Sequence, residues 1–169
     1  MTIVRDPATK VMSWKEARAW RDARKADGVK RLVFTNGVFD LLHPGHVDVL
    51  LGARRTGDAL IVGLNSDASV RRLKGPERPV RTEADRAYVL ASLEAVDVVT
   101  VFDQDTPLEL IRTLRPDIIV KGGDYTPDTI VGATDVRGWG GDVVVIPLTP
   151  NQSTTSIINT LRGSSSRNP

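Results

Sequence analysis

The chain has no cysteine, which excludes a disulfide framework, a thiolate metal centre and a cysteine nucleophile. A reducing compartment is compatible with that lack. Histidine is almost as scarce. His43 and His46 are the only two, too few for a zinc site that wants three or four protein ligands. Nor is one sign of charge in excess: Lys plus Arg number 23 against 21 Asp plus Glu, a net of +2, so the composition does not point to nucleic acid. No apolar run reaches membrane-spanning length, and the opening MTIVRDPATK lacks the apolar core of a secretory leader. The glycine motifs G-x-x-x-x-G-K-[ST] and G-x-G-x-x-G are missing, as is the G-x-S-x-G elbow, which lowers kinase, dehydrogenase and serine-hydrolase readings. A cytoplasmic enzyme or binding protein, with neither nucleic acid nor membrane as partner, is the expectation.

What is present reads as one domain of alternating strands and helices. At 169 residues and 40% hydrophobic content the chain is long enough to bury a sizeable core. Residues 1–10 read as a loosely held arm. Ser13 and Glu16 have capping-box spacing and open a helix through about Ala26, which Gly28 ends. Trp14, Ala17 and Trp20 share its packing face. Leu32-Val33-Phe34 is a buried strand that breaks at the turn signal Asn36-Gly37, and a helix follows from His43-Pro44-Gly45-His46 to about Thr56. A second strand covers 59–64, with Asn65-Ser66-Asp67 as a cap signal for a short helix. Residues 74–81 form a Gly/Pro loop carrying Lys74, Arg78 and Arg81. A helix over 82–93 follows, with Ala84, Ala87, Tyr88 and Ala91 on one face. Strands over 96–102, 117–120 and 142–147 complete the sheet, separated by a helix opening at Thr106-Pro107 and a short one within 128–138. Ser153-Thr154-Thr155-Ser156 opens a last helix through Leu161, and 163–169 is a frayed tail. The pattern predicts a Rossmann-like, doubly wound, five-stranded parallel sheet with helices on both faces. The organisation expected is an arm and helix over 1–30, a main domain over 31–162 and a flexible tail.

His43 and His46 carry the sharpest chemical signal. They sit three apart at a strand-to-helix junction, where free backbone N–H groups and the helix dipole favour an anion. One capping and one packing histidine is the bland alternative; the pairing at such a junction favours function. Lys74 is either a solvated loop lysine or a cation on a mobile segment that closes over a polyphosphate. Ser153-Thr154-Thr155 reads equally as an ordinary cap and as a phosphate cradle, and Lys121-Gly122-Gly123-Asp124 is either a turn or a close backbone approach to ligand.

Residues 35–46, Thr-Asn-Gly-Val-Phe-Asp-Leu-Leu-His-Pro-Gly-His, resemble the signature of the cytidylyltransferase-like nucleotidyltransferases. The segments Asn65-Ser66-Asp67, Leu73-Lys74-Gly75-Pro76, Arg78-Pro79-Val80, Lys121 to Tyr125 and Ser153-Thr154-Thr155 extend the likeness over about residues 30–162. They are most similar to the adenylyltransferases that act on D-glycero-β-D-manno-heptose 1-phosphate. The resemblance implies a catalytic role for His43, His46 and Lys74. It implies nucleotide binding by Thr35, Asn36, Gly37, Phe39, Gly45, Lys121, Gly122, Asp124, Ser153, Thr154, Thr155 and Ser156. Asp40, Asp67, Arg81 and Arg86 would bind or support the acceptor. Mg²⁺ would ride mainly on the phosphates of ATP, taking at most a carboxylate or two from the protein, with Asp40 as the candidate. Val38 stands where the heptose enzymes usually have cysteine. Thr149-Pro150-Asn151-Gln152 stands where glycerol-phosphate cytidylyltransferases have Arg-Thr-Glu-Gly, which favours ATP over CTP. In many bacteria this enzyme is fused to a sugar kinase, so the chain resembles the stand-alone form, and the family implies a homodimer. The alternatives are a CTP-dependent enzyme acting on a polyol phosphate, or a nucleotide-binding module without turnover.

Overall fold

In the computed structural model, which describes residues 5–147, 149–150 and 153–165, all five strands lie parallel in one sheet. They are β1 (Leu32–Gly37), β2 (Ala59–Asn65), β3 (Val98–Phe102), β4 (Ile118–Gly122) and β5 (Asp142–Ile146), in the order β3-β2-β1-β4-β5. The helices are α1 (Trp14–Ala26), α2 (Pro44–Arg55), α3 (Asp67–Lys74), α4 (Glu83–Ser92), α5 (Leu108–Leu114), α6 (Ala133–Gly138) and α7 (Thr154–Ser165). The chain builds outward from β1 to β3, then crosses back to place β4 on the other side of β1. That reversal opens a crevice at the carboxyl ends of β1 and β4, where sheets of this class bind ligands.

Strand alternation sorts the core into two apolar layers. Leu32, Phe34 and Ile61 point to one face and pack with Ala17 of α1, Leu110 and Leu114 of α5 and Val136 of α6. Val33, Leu60 and Val62 point to the other and pack with Leu50 and Ala53 of α2 and Leu90 of α4. Burying one such side chain contributes about 1.5–3 kcal/mol. The expected doubly wound α/β sheet is therefore the architecture observed.

Several local expectations need correction. Asn36-Gly37 does not break the first strand. Both residues stay in β1, paired with Gly63 and Leu64, and the turn follows at Val38. The inward face of α4 is Arg86, Ala87, Leu90 and Ala91, whereas Ala84 and Tyr88 are exposed. Residues 7–10 are not a loose arm but a 3₁₀ turn, and Lys10 is buried, donating from Nζ to the carbonyls of Val96 (2.8 Å) and Leu93 (3.3 Å). Residues 1–4 lie outside the described ones. Pro107, not Thr106, holds the cap position of α5, without a side-chain bond. The last helix runs on to Ser165 rather than ending at Leu161, leaving only 166–169 of the expected tail, outside the described residues. The Ser13–Glu16 capping box forms as read, and Trp14 anchors α1 by donating from Nε1 to the Val101 carbonyl at 2.8 Å.

Candidate active site

The turn after β1 delivers the two imidazoles. Phe39 takes the left-handed conformation at φ 45°, strained for a bulky residue, and its buried ring lies 5.2 Å from that of His46. Gly37 makes room for this turn, because a Cβ there would meet Phe39 Cε2 at 3.0 Å. His43 occupies the cap position of α2, its carbonyl accepting from the His46 N–H at 2.9 Å, and Pro44 fills the first helical position, where no N–H is needed. The rings of His43 and His46 are stacked, with centroids 3.8 Å apart and planes 25° from parallel. The Nδ1 of each is buried and has no hydrogen-bond partner among the described residues. Burial lowers the pKa of both. His46 falls to about 4, through burial first and the neighbouring His43 second, with the Leu41 carbonyl pulling the other way. Both rings are accordingly neutral at pH 7, each with one N–H to donate.

These rings form one wall of a cleft of about 340 Å³, within the range of small-molecule sites. Thr35, Asn36, Gly37, Phe39 and Gly45 line it from β1 and the start of α2, Lys121 and Gly122 from the end of β4, and Ser153 and Thr154 from the start of α7. Lys121 Nζ donates to the Asn36 carbonyl (3.3 Å) and Oδ1 (3.2 Å), bridging the two strands at the crevice, and burial lowers its pKa. Gly122 allows α2 to come close: a Cβ there would meet Val49 Cγ2 at 2.5 Å. Ser153 Oγ accepts from the Ser156 N–H at 3.0 Å, so this serine caps α7, while Thr154 Oγ1 donates to the Leu41 carbonyl at 3.4 Å. The free end of α7 thereby faces the imidazoles across the cleft.

Other expected residues lie elsewhere. Lys74 and Thr155 face each other across a neighbouring groove of about 280 Å³ between the 75–78 loop and α7. Asp40 is fully buried at its side chain and accepts from Arg78 Nε (2.6 Å) and from the Val80 and Arg81 N–H groups (2.8 and 3.0 Å). Arg86 donates to the carbonyls of Val38 and Arg81 and to Asp67 Oδ1 (2.8 Å), leaving its guanidinium committed inside the fold. Asp40, Arg81 and Arg86 border a separate hollow beside Leu41 and Val89. Asp124 and Ser156 are exposed and outside the cleft lining. Four cleft residues were absent from the sequence-derived set: Val38, Val49, Tyr125 and Thr149. Tyr125 folds back because Gly123, at φ 135°, reverses the chain, and its ring lies 5.9 Å from Lys121 Nζ.

The profile of the Cytidylyltransferase-like family matches residues 34–160, from β1 through both imidazoles into α7. The chain belongs to the cytidylyltransferase-like family. This cytidylyltransferase-like chain is 64% identical over 129 residues to the bifunctional protein HldE of Syntrophotalea carbinolica, covering 76% of this chain and 26% of that one. It is 55% identical over 157 residues to the bifunctional protein HldE of Geotalea uraniireducens, covering 93% and 32%. The chain thus spans between about a quarter and a third of the length of these curated relatives. Among solved structures, the lipopolysaccharide core biosynthesis protein of Thermoplasma volcanium superposes with a TM-score of 0.57 at 26% identity, over 72% of this chain and 98% of that one. The pantoate-beta-alanine ligase of Francisella tularensis, complexed with an ATP ligand and beta-alanine, has a TM-score of 0.58 over 90% of this chain and 76% of its own. At 14% identity the ligase attests the fold alone. Among the described residues no helix is long and apolar enough to cross a membrane.

Proposed function

We propose that this domain transfers AMP from ATP to D-glycero-β-D-manno-heptose 1-phosphate, releasing pyrophosphate and forming the ADP-sugar. The observation that carries the reading is the stacked His43–His46 pair, whose Nδ1 atoms are buried without a hydrogen bond and whose rings line one cleft together with Ser153 and Thr154 at the start of α7. An unpartnered buried polar atom costs ~1–3 kcal/mol, so the pair is built to meet a ligand. The sugar follows from the heptose-type motifs, and the HldE relatives are in keeping with it. ATP rather than CTP is favoured by Thr149-Pro150-Asn151-Gln152, which stands where glycerol-phosphate cytidylyltransferases have Arg-Thr-Glu-Gly and so lacks the arginine.

In this reaction an oxygen of the sugar 1-phosphate attacks the α-phosphorus of ATP in line. The bond from that phosphorus to the bridging oxygen breaks, and pyrophosphate departs with the electron pair. The attacking phosphate is already ionised near neutral pH, so the protein need supply no strong base. His43 and His46 donate to the phosphates and stabilise charge that builds in the transition state. Ser153 and Thr154 hold the leaving group at the start of α7, and Lys74 and Thr155 meet it from the adjoining groove. Mg²⁺ arrives as part of the substrate, MgATP. The protein offers it no ready ligand set: the described residues contain no cluster of three His, Asp or Glu, and both Asp40 oxygens are already engaged. ATP and sugar phosphates are intracellular metabolites, so we place the reaction in the cytoplasm. We take the assembly to be a homodimer, which light scattering tests.

Pyrophosphate release from ATP or CTP, with a panel of sugar and polyol phosphates, tests the whole reading. Turnover with ATP and the heptose phosphate is expected. Turnover with CTP and glycerol 3-phosphate alone would replace it, and ATP binding without product from any acceptor would make the domain a binding module.

A further inference from the structure

From the end of β5 to the start of α7, three described residues touch α2 or the turn that leads into it. Ile146, the last residue of β5, packs so near Gly52 that a Cβ there would meet its Cδ1 at 3.1 Å. Thr149 donates from Oγ1 to Asp48 Oδ2 at 2.5 Å. Thr154 donates from Oγ1 to the Leu41 carbonyl at 3.4 Å. As the numbers rise from Ile146 to Thr154, those of their partners fall from Gly52 to Leu41, so these contacts climb α2 from its third turn back toward the imidazoles. Gly52 and Asp48 are four apart and share a face of the helix. The three contacts differ in kind. The first is apolar, and the last is a long bond to a backbone carbonyl. The middle one joins two side chains, and a hydroxyl donating to a carboxylate is among the stronger hydrogen bonds. Asp48 is exposed, whereas Thr149 is half-buried and lines the nucleotide cleft.

We infer that Asp48 is a positioning residue for the nucleotide, acting through Thr149, an inference that rests on the proposed nucleotidyl transfer. Asp48 is ill suited to meet the nucleotide itself. It shares a shallow surface hollow with His43, and a carboxylate there repels a polyphosphate. Its use is to hold Thr149 against α2. Thr149 joins Val49 of α2 and Ser153 and Thr154 of α7 in the cleft lining, and it precedes those two hydroxyls by only four and five residues. A wall fixed in advance spares the nucleotide the entropy of ordering it. The same helix that carries His46 carries the anchor two residues later. One rigid element thereby sets the distance between the imidazoles and the wall beyond them. The two roles open to Asp48 predict opposite signs: a bare charge weakens ATP binding, whereas a tether strengthens it.

The test is steady-state pyrophosphate release by the wild type, Asp48→Ala, Thr149→Val, the double variant and Thr149→Ser, with folding of each checked by thermal melting. Neither side chain belongs to the buried core, so all four variants should fold. Asp48→Ala and Thr149→Val are each expected to raise the KM for ATP by about three- to tenfold, the worth of a hydrogen bond to a charged group discounted for solvent. The kcat and the KM for the sugar 1-phosphate should stay within about twofold. The double variant should be no worse than either single one, and Thr149→Ser, which keeps the hydroxyl, should stay near the wild type. A lower KM for ATP in Asp48→Ala would reveal a carboxylate that only repels and would overturn the inference. An unchanged KM, or losses that add in the double variant, would overturn it too. Failure of the proposed function itself would show in the wild type, as no turnover with ATP and any sugar 1-phosphate. Calorimetric titration with MgATP then decides the tether: the same pattern among the Kd values supports it, whereas equal affinities throughout, or no binding to the wild type, end it.

Discussion

Arg78 and Asp40 are joined at 2.6 Å through Nε and Oδ2, with the Asp40 side chain wholly inaccessible to solvent. The same carboxylate receives the N–H groups of Val80 and Arg81, so one buried charge holds the loop after Lys74 against the turn that leads to His43. Burial alone would raise the Asp40 pKa, but the Arg81 and Val80 amides and the Arg78 guanidinium outweigh it and hold it below the ordinary value. A carboxylate with a depressed pKa adds stability that is complete above its unfolded value and is lost as pH falls through the folded one. Asp40→Asn is expected to cost roughly 2 kcal/mol, a charge-assisted hydrogen bond's worth. Urea denaturation should show that difference at pH 7 and show it shrinking on the acid side of the ordinary aspartate value of 3.8.

His46→Ala is expected to lower kcat by ~10²–10³, the usual cost of deleting one preorganised donor at a developing charge. The ring is stacked on His43 rather than wedged into the core, so circular dichroism should stay native. Near-normal pyrophosphate release by the folded variant would count heavily against the proposed chemistry.

The depressed pKa of His46, about 4 against an ordinary 6.5, has a direction that can be measured. Between those values the unfolded chain binds more protons than the native one, so stability rises with pH across that window and falls again on acidification. Denaturation midpoints at pH 7 and pH 5 should differ in that sense, and His46→Ala should flatten the difference. Phosphates beside the imidazoles would favour their charged form. ATP binding near pH 5 should therefore take up protons, which calorimetry in buffers of different ionisation enthalpy would record.

Gly122→Ala drives a methyl to 2.5 Å from Val49 Cγ2. Overpacking of this kind costs about 1–3 kcal/mol, and here the clash lies in the cleft wall, so nucleotide affinity should fall as well. Val49→Ala removes the offending methyls. The double variant should recover much of the loss in thermal melting, a non-additivity expected only of residues in contact.

Much of this architecture is written in local pattern. Short apolar or β-branched runs marked the five strands, and Ser13, Ser66 and Thr82 announced their helices because a hydroxyl at that position meets an orphan N–H. Asn36-Gly37 misled because a turn-prone pair can finish a strand when a neighbour keeps pairing with it: β2 pairs with both residues, whereas β4 pairs with β1 only at Val33 and Phe34. The buried face of α4 was misjudged because Arg86, a charged residue, is buried by three internal partners that no periodicity reveals. The histidines, Asn36, Lys121 and Ser153 meet in one cleft as the motif implied. Tyr125 lay in a segment of the family likeness but not among the expected site residues, because it reaches the cleft through the positive φ of Gly123, a reversal that a Gly-Gly pair permits but does not require. Asp40 and Arg86 were placed near the ligand by analogy, and only three-dimensional contacts reveal their carboxylate and guanidinium turned inward.

The strand order has one more corollary. The imidazoles come from the first half of the polypeptide, while the lysine that faces them and the hydroxyls beyond come from the second. A fragment ending after Phe102 would keep both rings yet have half a vessel, open on the side where β4 belongs. Grip on a nucleotide therefore reports on the finished sheet rather than on any segment of it, and by mass action a bound nucleotide would knit the two halves together.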